Sequence, residues 1–104
     1  MNPTSINFSE FENKKILITG GSTGIGAELA KAFAKQGAIV GLHYLSSEDA
    51  ANQVAAEILR EGGRVELVRA DASNAQALAA AVNEAAERLG GLNGIINNAG
   101  GMVR

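Results

Sequence analysis

The chain has 104 residues, enough for one small domain and little more. Apolar residues make up 46% and the net charge is −2, which suits a folded core and excludes a broad basic surface for nucleic acid or anionic lipid. With no cysteine and a single histidine, a disulfide framework and a thiolate metal site are excluded, and a protein metal centre is not expected.

No apolar run approaches the ~18 residues of a membrane span, and the first residues lack a charged-then-apolar export signal. A soluble cytoplasmic protein is therefore expected. Residues 1–12 are polar, hold the single proline and show no hydrophobic period. They read as a flexible arm, with Phe8 or Phe11 free to fold back onto the first strand. Glu12-Asn13 is a turn signal that opens the domain proper, residues 13–104.

Residues 16–18 (Ile16-Leu17-Ile18) read as a short buried strand. It runs into the glycine-rich turn Thr19-Gly20-Gly21-Ser22-Thr23-Gly24-Ile25-Gly26 and then into a helix over 24–36, with Ile25, Leu29 and Phe33 on one face. Gly37 is placed to end that helix in the left-handed conformation. Residues 38–44 form a second strand. Ser46 or Ser47 caps the next helix, with Glu48 and Asp49 in its first turn. Its inner positions are Ala51, Val54, Ala55 and Ile58, and Gly62-Gly63 stops it. Residues 65–69 form a third strand. Ser73-Asn74-Ala75-Gln76 has the S-x-x-Q form of a capping box and opens a third helix, with Leu78, Val82, Ala85 and Leu89 on one side. Gly90-Gly91 closes it. A fourth strand spans 93–97, and Asn98-Ala99-Gly100-Gly101 turns away from it.

The order is thus β-α-β-α-β-α-β, which predicts an α/β fold: a parallel sheet with right-handed crossovers and helices on both faces. Ligands of such sheets sit beyond the carboxyl ends of the strands, at the switch in strand order. Four segments fall there: the Gly20 loop, residues 43–47, Asp71-Ala72 and Asn98-Ala99-Gly100. The strand, glycine turn and helix of residues 14–36 form a phosphate-binding device. Glycines let the backbone approach a ligand closely, and the helix start offers free N–H groups and the positive end of its dipole to an anion. A P-loop is excluded, because Ala27 and Glu28 follow Gly26 where Lys and Ser/Thr are needed.

Counted from Thr19, the loop is T-G-x-x-x-G-x-G. With Asp71-Ala72 after the third strand and Asn97-Asn98-Ala99-Gly100 after the fourth, the chain from Lys14 onward closely resembles the cofactor-binding half of the short-chain dehydrogenases/reductases, a Rossmann-like fold. The resemblance implies that Gly20, Ser22, Thr23, Gly24, Ile25 and Gly26 wrap the pyrophosphate of NAD or NADP. It implies that Asp71 bonds the adenine amino group, that the Ala72 backbone faces the ring, and that Asn98, Ala99 and Gly100 approach the adenosine ribose. It also implies a strand order 3-2-1-4 in which the fourth strand, apolar at Ile95-Ile96 and without a charged gatekeeper, is an open edge in these residues.

An acidic residue at the end of the second strand would bond the ribose 2′-hydroxyl and repel a 2′-phosphate. That position is Tyr44, so NADP is allowed, and NADP is favoured over NAD. His43, Ser46, Ser47 and Ser22 are the candidate 2′-phosphate contacts, since Leu45 stands where NADP-preferring relatives often carry Arg or Lys. The family's catalytic tyrosine, lysine and serine have no counterpart here. Tyr44 is the one tyrosine, and Glu48 follows it at the fourth position on. The expectation is the cofactor half of an oxidoreductase that moves hydride to or from a carbonyl or alcohol. The catalytic residues, substrate pocket and oligomer contacts would lie past Arg104, with a homo-oligomer implied for the longer enzyme. A noncatalytic nucleotide-binding or regulatory module is the alternative. A methyltransferase is disfavoured, because Thr19 stands where that family commonly has an acidic residue.

Overall fold

In the computed structural model, residues 10–20, 24–71 and 74–98 are described. Seven elements alternate along them: β1 (Lys15–Thr19), α1 (Gly24–Lys35), β2 (Ile39–Tyr44), α2 (Glu48–Arg60), β3 (Arg64–Arg69), α3 (Ala75–Leu89) and β4 (Gly94–Asn97). The strands make one wholly parallel sheet in the order β3-β2-β1-β4. Ile16 lies opposite Val40 on one side and Gly94 on the other, and Tyr44 lies opposite Arg69. At the amino end, Lys15 and Asn93 exchange two hydrogen bonds of 2.8 and 2.7 Å, which fixes where β4 begins.

Because side chains alternate along a strand, successive residues of β1 serve opposite faces. Ile16 and Ile18 join Val40 and Leu42 under α1 and α2, whose Ala30, Ala34, Ala51, Val54 and Ile58 complete this larger core. Leu17 points to the other face, where it meets Val68 and Ala85 with Val82 and Leu92 alongside, beneath α3. Gly41, in the middle of β2, allows the closest of these approaches. A Cβ there would stand 3.1 Å from Leu89 Cδ1 and 3.3 Å from Leu17 Cδ1. β4 forms the edge, and its Ile95 is 46% exposed.

The expected turns recur. Gly37 ends α1 at φ +89°, Gly62 follows α2 at +86° and Gly90 caps α3 at +77°. Asn13 adopts the left-handed region as well, at φ 65°. Its N–H donates to the Gly37 carbonyl and its Oδ1 accepts from Arg64 Nη2. Phe11, at the end of the expected arm, is expected against the first strand. Its partner is α1, with its ring edge-on to Phe33 at 5.1 Å between centroids. Phe8 lies outside the described residues.

Three local expectations are corrected. The sheet-facing line of α1 is Ala27, Ala30 and Ala34, small enough to let the helix lie close on the strands. Leu29 and Phe33 pack on its flank, whereas Ile25 in the first turn is 72% exposed. Ser47 occupies the N-cap of α2, but its side chain makes no capping hydrogen bond at φ −89°, ψ 62°, and Glu48 and Asp49 are left to complement the dipole. α3 is capped by Asn74, whose extended backbone lets Oδ1 accept from Ala77 N–H at 2.8 Å. The expected cap Ser73 lies outside the described residues. The buried line of α3 is Ala81, Ala85 and Leu89, with Leu78 and Val82 half-buried beside it.

Candidate functional site

The carboxyl ends of β1, β2, β3 and β4 are tied to one another by side chains that the sequence placed there. Thr19, the last residue of β1, is fully buried. Its hydroxyl donates to Asn97 Oδ1 at 2.9 Å and accepts from Asn98 N–H at 2.9 Å. Asn98 also donates from Nδ2 to the Gly20 carbonyl at 3.1 Å. A β-branched hydroxyl residue packs in a strand and still offers a donor and an acceptor, so one side chain closes the β1–β4 junction.

On the other side of β1, the Gly20 N–H donates to His43 Nδ1 at 3.0 Å, while His43 Nε2 lies 2.7 Å from the Ala70 carbonyl. The neutral ring protonated on Nε2 satisfies both contacts, accepting at one nitrogen and donating at the other. His43 is only 3% exposed. Both ring nitrogens of this candidate 2′-phosphate contact are engaged with backbone, and the residue ties Gly20 to Ala70. Gly20 is thus gripped from both sides, by His43 at its N–H and by Asn98 at its carbonyl, with φ +63° suited to glycine.

Gly24 opens α1 at φ +57°, and Gly26, two residues on in the same first turn, is buried. The first turn of α1 carries no acidic residue, so nothing there competes with an anion for the dipole. Tyr44 is buried in the α1/α2 core, and its carbonyl accepts from Ala70 N–H at 3.1 Å. Leu45, Ser46 and Ser47 are exposed, and Asp71 stands exposed one residue beyond Ala70. Arg69, which the sequence reading passed over, donates from Nε to the Leu45 carbonyl at 3.2 Å. Its signal was a cation at a strand's carboxyl end. Ser22, Thr23, Ala72, Ala99 and Gly100 lie outside the described residues.

The main groove of the described residues lies elsewhere, a space of about 410 Å³ between α1 and α2 lined by Lys31, Lys35, Glu57 and Glu61. Its two lysines are already partnered. Lys31 meets Glu57 at 3.2 Å and Glu28 at 3.3 Å, and Lys35 meets Glu61 at 4.0 Å. Hydrogen bonds to Glu57 and then Glu28 hold the Lys31 ammonium above its usual range. Both lysines of the groove are thus engaged with carboxylates.

At the carboxyl edge, Gly20 is held at both backbone atoms, and the described first turn of α1 carries no acidic residue. The family model for short chain dehydrogenase matches residues 14–104. The chain belongs to the short-chain dehydrogenase family. An uncharacterized oxidoreductase of Methylorubrum extorquens is 41% identical over 92 residues, which is 88% of this chain and 37% of that protein. A dehydrogenase/reductase of Sinorhizobium meliloti superposes with a TM-score of 0.80 at 44% identity, over 86% of this chain and 35% of the other. A Burkholderia cenocepacia short chain dehydrogenase, solved in complex with NADP, gives 0.80 at 42% identity, over 86% and 37%. The chain therefore spans little more than a third of the relatives it matches, the portion that in short-chain dehydrogenases binds the cofactor.

Proposed function

We propose that this chain holds the adenosine and pyrophosphate half of NADP(H), or of NAD(H), in an oxidoreductase that transfers hydride between the nicotinamide and a small carbonyl or alcohol substrate. The observation that carries the reading is the double grip on Gly20 at the carboxyl end of β1, by His43 at its N–H and by Asn98 at its carbonyl. In this reading residues 20–26 cradle the pyrophosphate. Asp71 and Ala72 take the adenine, Asn98, Ala99 and Gly100 take its ribose, and Ser46 and Ser22 meet the 2′ position. The absence of an acidic residue at Tyr44 and Leu45 favours NADP. The reading extends to a cytoplasmic homo-oligomer with no nucleic-acid or membrane partner. Nicotinamide absorbance, followed at natural length against a panel of ketones, aldehydes and alcohols, tests the activity. Cofactor-dependent turnover of at least one carbonyl is expected. Tight dinucleotide binding with no turnover across the panel would favour the noncatalytic module instead.

A further inference from the structure

Most cations of the described residues are spoken for. Lys31, Lys35 and Arg88 each meet a carboxylate, and Arg64 is tied to Asn13 and Gly37 at the amino end of β3. Arg69 differs. As the last residue of β3 it stands at the carboxyl edge, in register with Tyr44, and it is exposed. Its Nε hydrogen bond to Leu45 O fixes the guanidinium beside the segment Leu45-Ser46-Ser47. It forms no ion pair among the described residues, not even with Glu48 or Asp49 of the neighbouring α2 turn. Its other guanidinium N–H groups have no partner there.

We propose that Arg69 is the residue that selects NADP(H) over NAD(H), by pairing with the 2′-phosphate from the strand next to the usual position. The inference rests on the dinucleotide reading above and goes beyond it by naming the source of the charge. A planar guanidinium matches two oxygens of a phosphate with two N–H donors, and the Leu45 carbonyl orients it before the ligand arrives. The hydroxyls of Ser46 and Ser47 stand on the same strand end as further donors, and Ser47 is free of capping duty. A 2′-hydroxyl carries no charge for Arg69 to meet, so the guanidinium discriminates between the two cofactors.

Calorimetry on the protein at natural length tests this with NADPH and NADH, and with 2′,5′-ADP against 5′-ADP. The unaltered protein is expected to bind each 2′-phosphorylated ligand at least tenfold more tightly than its partner. Arg69→Gln should reduce NADPH affinity tenfold or more and leave NADH within twofold. Arg69→Lys, which keeps the charge and loses the fork, should fall between. Equal affinities for 2′,5′-ADP and 5′-ADP in the unaltered protein would overturn the proposal without any variant. So would a folded Arg69→Gln protein whose NADPH and NADH affinities change together or not at all. If the unaltered protein bound none of the four ligands, the dinucleotide reading itself would fail, which is a distinct outcome.

Discussion

Asn98 and Gly20 stand 78 residues apart in sequence and are joined by a 3.1 Å hydrogen bond from the Asn98 amide to the Gly20 carbonyl. The same asparagine gives its backbone N–H to the Thr19 hydroxyl. Asn98 after β4 is thereby tied to both Thr19 and Gly20 at the end of β1. Thr19→Val keeps the shape and removes the hydroxyl, leaving the Asn98 N–H and the Asn97 carboxamide oxygen without their partner. A buried group left unsatisfied costs about 1–3 kcal/mol. Urea unfolding should register that loss, and Thr19→Ser should recover most of it. Equal stability of Thr19→Val and the parent would show that the junction is held by packing alone.

His43 grips the same loop from the other side. His43→Ala removes the acceptor of the Gly20 N–H and the donor to Ala70 O, and opens a space in a nearly closed site. A stability loss of about 1–3 kcal/mol is expected, with a tenfold or greater drop in affinity for NADH and NADPH alike. His43→Asn keeps one acceptor and should restore part of the affinity. A change confined to NADPH in His43→Ala would return the histidine to the role of a phosphate ligand.

The two helix caps give a paired test. Asn74 caps α3 with a real hydrogen bond, and Ser47 sits at the start of α2 without one. Asn74→Ala should cost about 1 kcal/mol, whereas Ser47→Ala should be close to neutral. Thermal unfolding of the two variants decides it, and a Ser47→Ala penalty equal to that of Asn74→Ala would contradict the local geometry.

Gly41 is extended, so its glycine identity reflects space. Gly41→Ala drives a methyl against Leu89 and Leu17, and overpacking of this kind costs about 1–3 kcal/mol. Leu89→Ala makes room for that methyl, so the double variant should lose less than the sum of the single losses. Additive losses would mean that Leu89 is not what Gly41 accommodates.

Much of this was legible in the sequence because hydrophobic period and glycine placement act locally. The line Ala51, Val54, Ala55 and Ile58 faces the core as its spacing required, and Gly37, Gly62 and Gly90 each turn the chain where they stand. Size misled in α1, where the large Ile25 is exposed and the alanines take the sheet, because close helix–sheet contact selects small residues. The clamps were not legible. Only the parallel register brings His43 between Gly20 and Ala70, or sets Arg69 beside Leu45, and register is a property of the assembled sheet. The S-x-x-Q pattern likewise pointed to Ser73 as the cap, and only the helix start puts Asn74 in that role.

The central claim is that the carboxyl edge around Gly20 binds the adenosine-pyrophosphate half of a dinucleotide. Calorimetric titration of the natural-length protein with ADP-ribose and its 2′-phosphate form, beside Gly26→Val, tests it most directly. Gly26 is buried in the first turn of α1, and a valine there should cost roughly 1–3 kcal/mol in overpacking, with ~1.4 kcal/mol corresponding to tenfold in affinity. The account predicts saturable binding of at least one of the two ligands that a dinucleotide displaces, weakened tenfold or more in Gly26→Val. Absence of saturable binding, or an unchanged dissociation constant in a folded Gly26→Val protein, would contradict it.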